Sequence, residues 1–231
     1  MFVQTDPLTR LPVTLLASAA ALLAAAATAR AQPVLDPLKP CYVSVETAPG
    51  TYSSEAVQVH GFGFTPKNSL DILIDDEVVL PEVAVDAAGE FVRQSVPAPV
   101  VHAGARFFTV TVAEREQPYQ TVSVESKVTA LAVHVRPARA RPSQRVRFKG
   151  RGFTDTGAIY AHYLRRGVLL RTVRLAKAPS GDCGTFTSRR PQFPFRPHRG
   201  TYLVQIDQHH RLTDDGPLVK LTIDVRRRPA T

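Results

Sequence analysis

The chain has no tryptophan, one methionine and only two cysteines in 231 residues. The missing tryptophan takes away the large aromatic platform that sugar sites often use. Neither cysteine, Cys41 or Cys183, falls in a metal-ligand spacing, and no serine sits in a G-x-S-x-G turn. Beyond residue 31 there is no apolar run long enough to cross a bilayer and no convincing helical stripe. These absences point away from cofactor, metal and marked-nucleophile chemistry. We expect no cofactor, no metal site and no enzyme.

What is present begins with an export pattern. Residues 11–29 are 19 uncharged, mostly alanine positions preceded by Arg10 and closed by Ala29-Arg30-Ala31, small residues at the two positions a signal peptidase reads. We expect a signal peptide over residues 1–31, cleavage before Gln32, and a secreted or cell-envelope location. In such an oxidising place Cys41 and Cys183 are a possible disulfide.

After Gln32 the sequence alternates with period two almost throughout. YVSVETA, AVQVHGF, LDILID, EVAVD, FFTVTV and TVSVES read as short strands separated by Gly, Pro, Asn and Asp. The series restarts at LAVHV and runs through RVRFKGRGF, IYAHYL, LLRTVRL, GTFTSR, TYLVQID and LVKLTIDV. VQVHGFGFT (57–65) returns 89 positions later as VRFKGRGFT (146–154). Gly89-x-Phe91 matches Gly184-x-Phe186, and Phe108, Val110, Val112 match Tyr202, Val204, Ile206. A near-constant offset means one plan used twice. We expect an all-β protein of two tandem immunoglobulin-like antiparallel β-sandwich domains. The limits are an N-terminal linker over 32–40, domain 1 over 41–128 and domain 2 over 129–228.

The twice-used Gly-x-Gly is not a dinucleotide loop, which needs a third glycine, a buried strand before it and a helix after it. Here Phe-Thr and another strand follow. The two glycines should let the strand bend as it leaves its sheet, with the next Phe turned inward as a plug. V-x-V-x-G-x-G-F-T-P, followed by LDILID and Asp-Ala-Ala-Gly-Glu-Phe, resembles IPT/TIG-type bacterial immunoglobulin-like domains found in tandem on secreted and surface proteins. The resemblance implies a non-catalytic binding or spacer role. It carries no functional residue with it.

Charge is divided between the halves. Residues 32–126 hold 5 Lys and Arg against 13 Asp and Glu, whereas residues 127–231 hold 22 against 6. Along RVRFKGRGF, Arg145, Arg147, Lys149 and Arg151 fall on one face of a strand with Val146 and Phe148 on the other. The equivalent outward positions of the first half are Ala56, Gln58, His60 and Phe62, so the fold does not demand the stripe. Arginines 136, 139, 141, 165, 166, 171, 174, 189, 190, 196, 199 and 226–228 could extend it. Such a face suits an anionic envelope polymer, an acidic glycan or lipid head groups. Another surface protein is a further possible partner, while nucleic acid is disfavoured because aromatic interleaving is thin.

Two metal readings were weighed and set below plain loops. They are His209-His210 with Asp207, and Asp75-Asp76-Glu77 as a calcium rim rather than a hairpin turn. The opposite charges of the halves should draw them together across a short linker, and a Cys41–Cys183 bridge should need a folded-back pair, because an extended tandem would hold those points beyond the ~7 Å a disulfide spans. The expected function is an exported, non-catalytic binding or structural module of the bacterial envelope. A polyanion binder acting through Arg145, Arg147, Lys149 and Arg151 is the alternative, and a hydrolase with an unrecognised site comes third.

Overall fold

A computed structural model describes residues 32–138 and 140–225. The expected signal segment, Arg139 and the arginine tail 226–228 lie outside the described residues. Every regular element among the described residues is a strand. The first half holds β1 (Val34–Leu35), β2 (Tyr42–Ala48), β3 (Thr51–Ser54), β4 (Ala56–Val59), β5 (Gly61–Phe62), β6 (Ser69–Ile74), β7 (Glu77–Ala84), β8 (Gln94–Pro97), β9 (Ala105–Glu114) and β10 (Thr121–Ala130). The second holds β11 (Ala132–Arg136), β12 (Arg145–Arg151), β13 (Ile159–Arg165), β14 (Val168–Ala176), β15 (Phe186–Pro191), β16 (Gly200–Asp207) and β17 (Val219–Val225).

The duplication read from sequence recurs as strand order. One sheet of the first half runs β3-β2-β10-β9-β6-β7, and the second half repeats its last four members as β17-β16-β13-β14. Opposite these lie the antiparallel pair β4–β8 and its counterpart β12–β15. A leading strand joins the glycine strand in each half, with Leu35 against Gly61 and Val133 against Gly150. Residues 32–40, expected as linker, therefore contribute β1, and Leu35 belongs to the first core. Strands β1, β3 and β8 escaped the alternation pattern because they offer it too little. β3 has one large apolar residue, the half-exposed Tyr52, and β8 turns only Val96 fully inward.

Burial follows the period-two pattern. Val57, Val59, Phe108, Val110 and Val112 are at most 1% exposed, as are Val146, Phe148, Tyr202, Val204 and Ile206. Each such side chain contributes roughly 1.5–3 kcal/mol relative to exposure. Two separate apolar clusters result, one from Leu35 to Ala130 and one from Val133 to Ile206. The described residues nevertheless form one compact unit.

The two glycines of each G-x-G have different tasks. In the second half Gly150 keeps an extended backbone but lies under the Phe186 ring, where a Cβ would collide. Gly152 takes φ +86°, a conformation that L side chains rarely adopt, and turns the chain so that Phe153 is fully buried. The Phe153 N–H then donates to the Gly184 carbonyl at 3.1 Å, and its ring meets Phe186 edge-on at 5.3 Å. The first half repeats this, with Phe64 N–H to the Gly89 carbonyl at 3.1 Å and Phe64 on Phe91 at 5.6 Å.

Cys41 and Cys183 are bonded, with Cα atoms 5.1 Å apart. The bridge does not need the folded-back pair expected from sequence, because strand register brings both cysteines to the junction. β2 runs parallel to β10 with Tyr42 opposite Val128, so Cys41 starts its strand beside the exit of the first half. The Cys183 carbonyl accepts from Gly152 N–H, and Gly152 abuts Leu131, so Cys183 also lies at the junction. Around the bridge Lys127 pairs with Asp182 at 2.7 Å, Lys39 reaches Thr154 Oγ1 at 3.0 Å, and Arg151 Nε donates to the Ala130 carbonyl at 3.1 Å. The expected attraction between an acidic and a basic half is not what these contacts use. Among the described residues the only ion pair across the junction runs the other way, from Lys127 on β10, the last strand of the first sandwich, to Asp182 of the second half.

The Lys127 ammonium holds the Asp182 carboxyl below its ordinary range, chiefly through their hydrogen bond. A depressed carboxylate stabilises the fold at pH above its unfolded value, and that contribution is lost as pH falls through the lower folded value.

Two outcomes are expected. Gly184→Ala places a Cβ on the Phe153 carbonyl at φ +56°, whereas Gly181→Ala meets open space at φ +69°; the first should cost about 3 kcal/mol in urea unfolding and the second about 1. Reducing the bridge, which joins residues 142 apart, should cost up to about 5 kcal/mol by the chain-entropy argument, measured by unfolding with and without dithiothreitol.

Candidate functional site

β12 builds the face that the sequence singled out. Val146 and Phe148 are buried and Arg145, Arg147 and Lys149 are exposed, so alternation puts these three cations on the solvent side of the sheet β11-β12-β15. Arg151 shares that side but is only half exposed, because its Nε is engaged with Ala130. It is the least free of the four.

Register adds what the linear sequence could only suggest. Arg136 of β11 stands opposite Arg147, and Arg147 stands opposite Arg189 of β15. Three arginines therefore form one row across three strands about 4.8 Å apart. The next row holds His134, Lys149 and Thr187. Of the other arginines named from sequence, Arg165, Arg166, Arg171 and Arg174 lie on the β13–β14 hairpin of the other sheet, and Arg190 faces the Val146 side. Arg141, Arg196 and Arg199 lie in exposed loops.

None of Arg136, Arg145, Arg147, Lys149, Arg151 and Arg189 has an ion-pair partner among the described residues. Arg145 donates instead to the Arg189 carbonyl at 3.2 Å. The first half behaves differently. Lys39, Arg93, Arg106 and Arg115 each pair with a carboxylate there. At the rung matching Arg147–Arg189 it has a neutral pair, with Gln58 Nε2 donating to Ser95 Oγ at 3.1 Å. Like charges directly opposite cost roughly 0.5 kcal/mol a pair, and at these separations salt screens them only partly.

The cations line two adjoining shallow grooves. One of about 440 Å³ is bounded by Arg136, Pro137, Arg145, Arg147 and Arg189. The other, about 510 Å³, has His134, Arg136, Arg147, Lys149, Arg151 and Thr185 on its walls. Guanidinium groups in such a place offer planar forks of donors that match carboxylate, phosphate or sulfate oxygens.

A second polar cluster takes up Asp207 and His209, which the sequence offered only as a metal reading, and joins them to His162, which no sequence motif singled out. His162 and Asp207 are both fully buried. His162 Nε2 donates to Asp207 Oδ1 at 3.2 Å and to the His209 carbonyl at 3.0 Å, and Nδ1 lies 2.9 Å from Thr172 Oγ1. Asp207 also accepts from His209 N–H at 2.8 Å and from Gln205 at 2.9 Å. The pattern strands IYAHYL and TYLVQID gave no warning, since His162, Gln205 and Asp207 occupy outward positions. The loop after β16 folds over that outer side and buries them. With four partners between them these groups are satisfied and open onto no groove. Asp207 is thus occupied, and the three residues His209, His210 and Asp207 do not converge on a metal. Asp75 and Asp76 form the β6–β7 turn, with Asp75 accepting from Thr109 N–H and paired to Arg106. Among the described residues no group of three or more His, Cys, Asp or Glu side chains is placed to hold a metal ion.

No protein-family model matches the chain. No curated protein matches it either. Among solved structures it is similar to a Bacteroides ovatus protein described as mixed-linkage glucan utilization locus SGBP-B in complex with a mixed-linkage heptasaccharide. The identity is 15%, the TM-score 0.23, and the likeness covers 84% of this chain and 47% of the other. The chain thus spans about half the length of that protein.

Asp207→Ala would take away the acceptor of the His209 N–H and one of the two acceptors that each of the buried His162 Nε2 and Gln205 Nε2 groups uses. It should destabilise the chain by about 3 kcal/mol, read as a lower urea midpoint.

Proposed function

We propose that the chain is an exported, non-catalytic binding module of two tandem immunoglobulin-like β-sandwich domains, β1 to β10 and β11 to β17, and that domain 2 holds a linear polyanion on the outer face of β11-β12-β15. The strand order supports the first part. A sheet of the order β7-β6-β9-β10 faces the pair β4–β8, and the same arrangement recurs with β14-β13-β16-β17 facing β12–β15, which is the layout of an immunoglobulin sandwich. The G-x-G-F-T plug in both halves favours the IPT/TIG type. A bonded Cys41–Cys183 pair fits an oxidising, extracytoplasmic place.

The row Arg136–Arg147–Arg189 carries the second part. A fold that tolerates Gln58 and Ser95 at the matching rung gains nothing by setting arginines side by side without carboxylates. An anion lying across the row would turn this self-repulsion into attraction. Along β12 the cations repeat every second residue, about 6.8 Å, over a length of about 20 Å. A polymer with regularly spaced anionic groups suits such a ladder better than one small anion does. Outward neighbours on the same rows are His134 and Thr187, not aromatic platforms, so the face is better suited to phosphate, carboxylate or sulfate groups than to stacked bases.

The purified chain should be retained on an anionic polymer matrix and elute at a salt concentration that falls when Arg145, Arg147 and Lys149 are changed to Gln. Changing Arg165, Arg171 and Arg174 to Gln removes equal charge from the other sheet and should shift elution much less. Equal shifts would mean net charge alone governs retention, and no shift would dismiss the site.

A further inference from the structure

The duplication has made one hairpin in two opposite charges. The β6–β7 hairpin, residues 69–84, carries Asp71, Asp75, Asp76, Glu77 and Glu82 and no Lys or Arg. The β13–β14 hairpin, residues 159–176, carries Arg165, Arg166, Arg171 and Arg174 and no Asp or Glu. Their backbones agree closely. Each turns on two residues of positive φ, Asp75 (49°) and Asp76 (69°) in one, Arg166 (51°) and Gly167 (78°) in the other. Each then bulges at the same place. Leu73 faces Val78 and Ile72 faces Leu80, leaving Val79 extra, while Leu164 faces Leu169 and Tyr163 faces Arg171, leaving Leu170 extra.

β7 and β14 are also edge strands of their sheets, and both present apolar side chains to solvent. Val78 and Val79 are 49% and 37% exposed, and Val168, Leu169 and Leu170 are 62%, 41% and 44% exposed. Part of the acidity is already answered, because Arg106 pairs with Asp75 and Arg115 with Asp71 and Glu82. Asp76 and Glu77 make no ion pair among the described residues, and neither do Arg166, Arg171 and Arg174. Arg165 is engaged elsewhere, over the Tyr202 ring and on the Arg199 carbonyl.

We infer that the acidic β6–β7 edge of one molecule docks against the basic β13–β14 edge of a second copy. Apolar residues form the centre of this contact and opposite charges its rim, the division usual at protein interfaces. The bulges, and Pro81 with no N–H, disfavour extension of one sheet into the next. The contact is therefore made by side chains. A lipid surface as occupant would use the basic edge and repel the acidic one, leaving the matching exposure of Val78 and Val79 without a partner. Because the two surfaces differ, the contact is head-to-tail, and it continues from copy to copy instead of closing as a symmetric dimer.

Sedimentation velocity of the purified chain over a range of concentration tests this. Growth beyond a dimer, shifted about tenfold to higher concentration by 0.5 M salt, is expected. Val79→Arg and Leu170→Asp each lie at exposed positions and should each abolish the growth. Mixing the two variants should yield a one-to-one complex, since each retains the edge that the other has lost, and this recovery also shows that both variants are folded. The inference is overturned by a wild-type chain that stays monomeric, by a single variant that still grows, or by a mixture that forms no complex. Capture of a monomeric wild type by anionic vesicles, lost in Leu170→Asp, would assign the edge to a membrane and overturn it equally. The polyanion reading does not depend on this result, because its residues lie on the other sheet.

Discussion

Both halves of the molecule depend on one backbone contact, the N–H of the plug phenylalanine donating to the carbonyl of a glycine in the turn before the partner strand. Phe64 with Gly89 and Phe153 with Gly184 have the same length and the same neighbours. The contact closes the end of each core, where a strand leaves its sheet and would otherwise expose both its backbone and the apolar layer beneath. Its demands are steric. A glycine of positive φ must precede the plug, another must dock against the plug's carbonyl, and an aromatic ring two residues after that must fill the corner. These demands are met twice, at nearly constant spacing, in halves whose exposed residues differ.

With the inward residues held by that geometry, outward positions were free to diverge. In the first half cations are mostly neutralised by neighbouring carboxylates and the exposed rung of β4–β8 is a Gln–Ser hydrogen bond. In the second half the same rung is Arg–Arg and its neighbours are unpaired. The hairpins diverged likewise, one to aspartates and one to arginines on the same bulged backbone. Charge therefore marks the surfaces on which the two halves differ, whereas the glycines and core valines mark the scaffold they share.

The junction obeys a different rule. Bulk attraction between an acidic and a basic half would act over about a Debye length and specify little geometry. A disulfide, one ion pair of reversed polarity and main-chain hydrogen bonds specify much more. Because Cys41 lies beside the end of β10 and Cys183 bonds Gly152 next to Leu131, the bridge ties the two halves where they already meet.

The residues themselves determined the all-strand class, the repeat, the inward series of β4, β9, β12 and β16 and the cationic stripe of β12, because a side chain's face follows from period-two alternation, a local property. The plug reading held because it is local. Strained turns leave glycine signatures in the chain, but convergence of ligands does not. Only the tertiary structure decided that Arg136 and Arg189 join Arg147, that the cysteines meet, and that a loop buries His162 against Asp207. Each of these joins residues dozens of positions apart through strand register or loop placement, which depend on how whole sheets fit together and are not set by any short stretch of sequence.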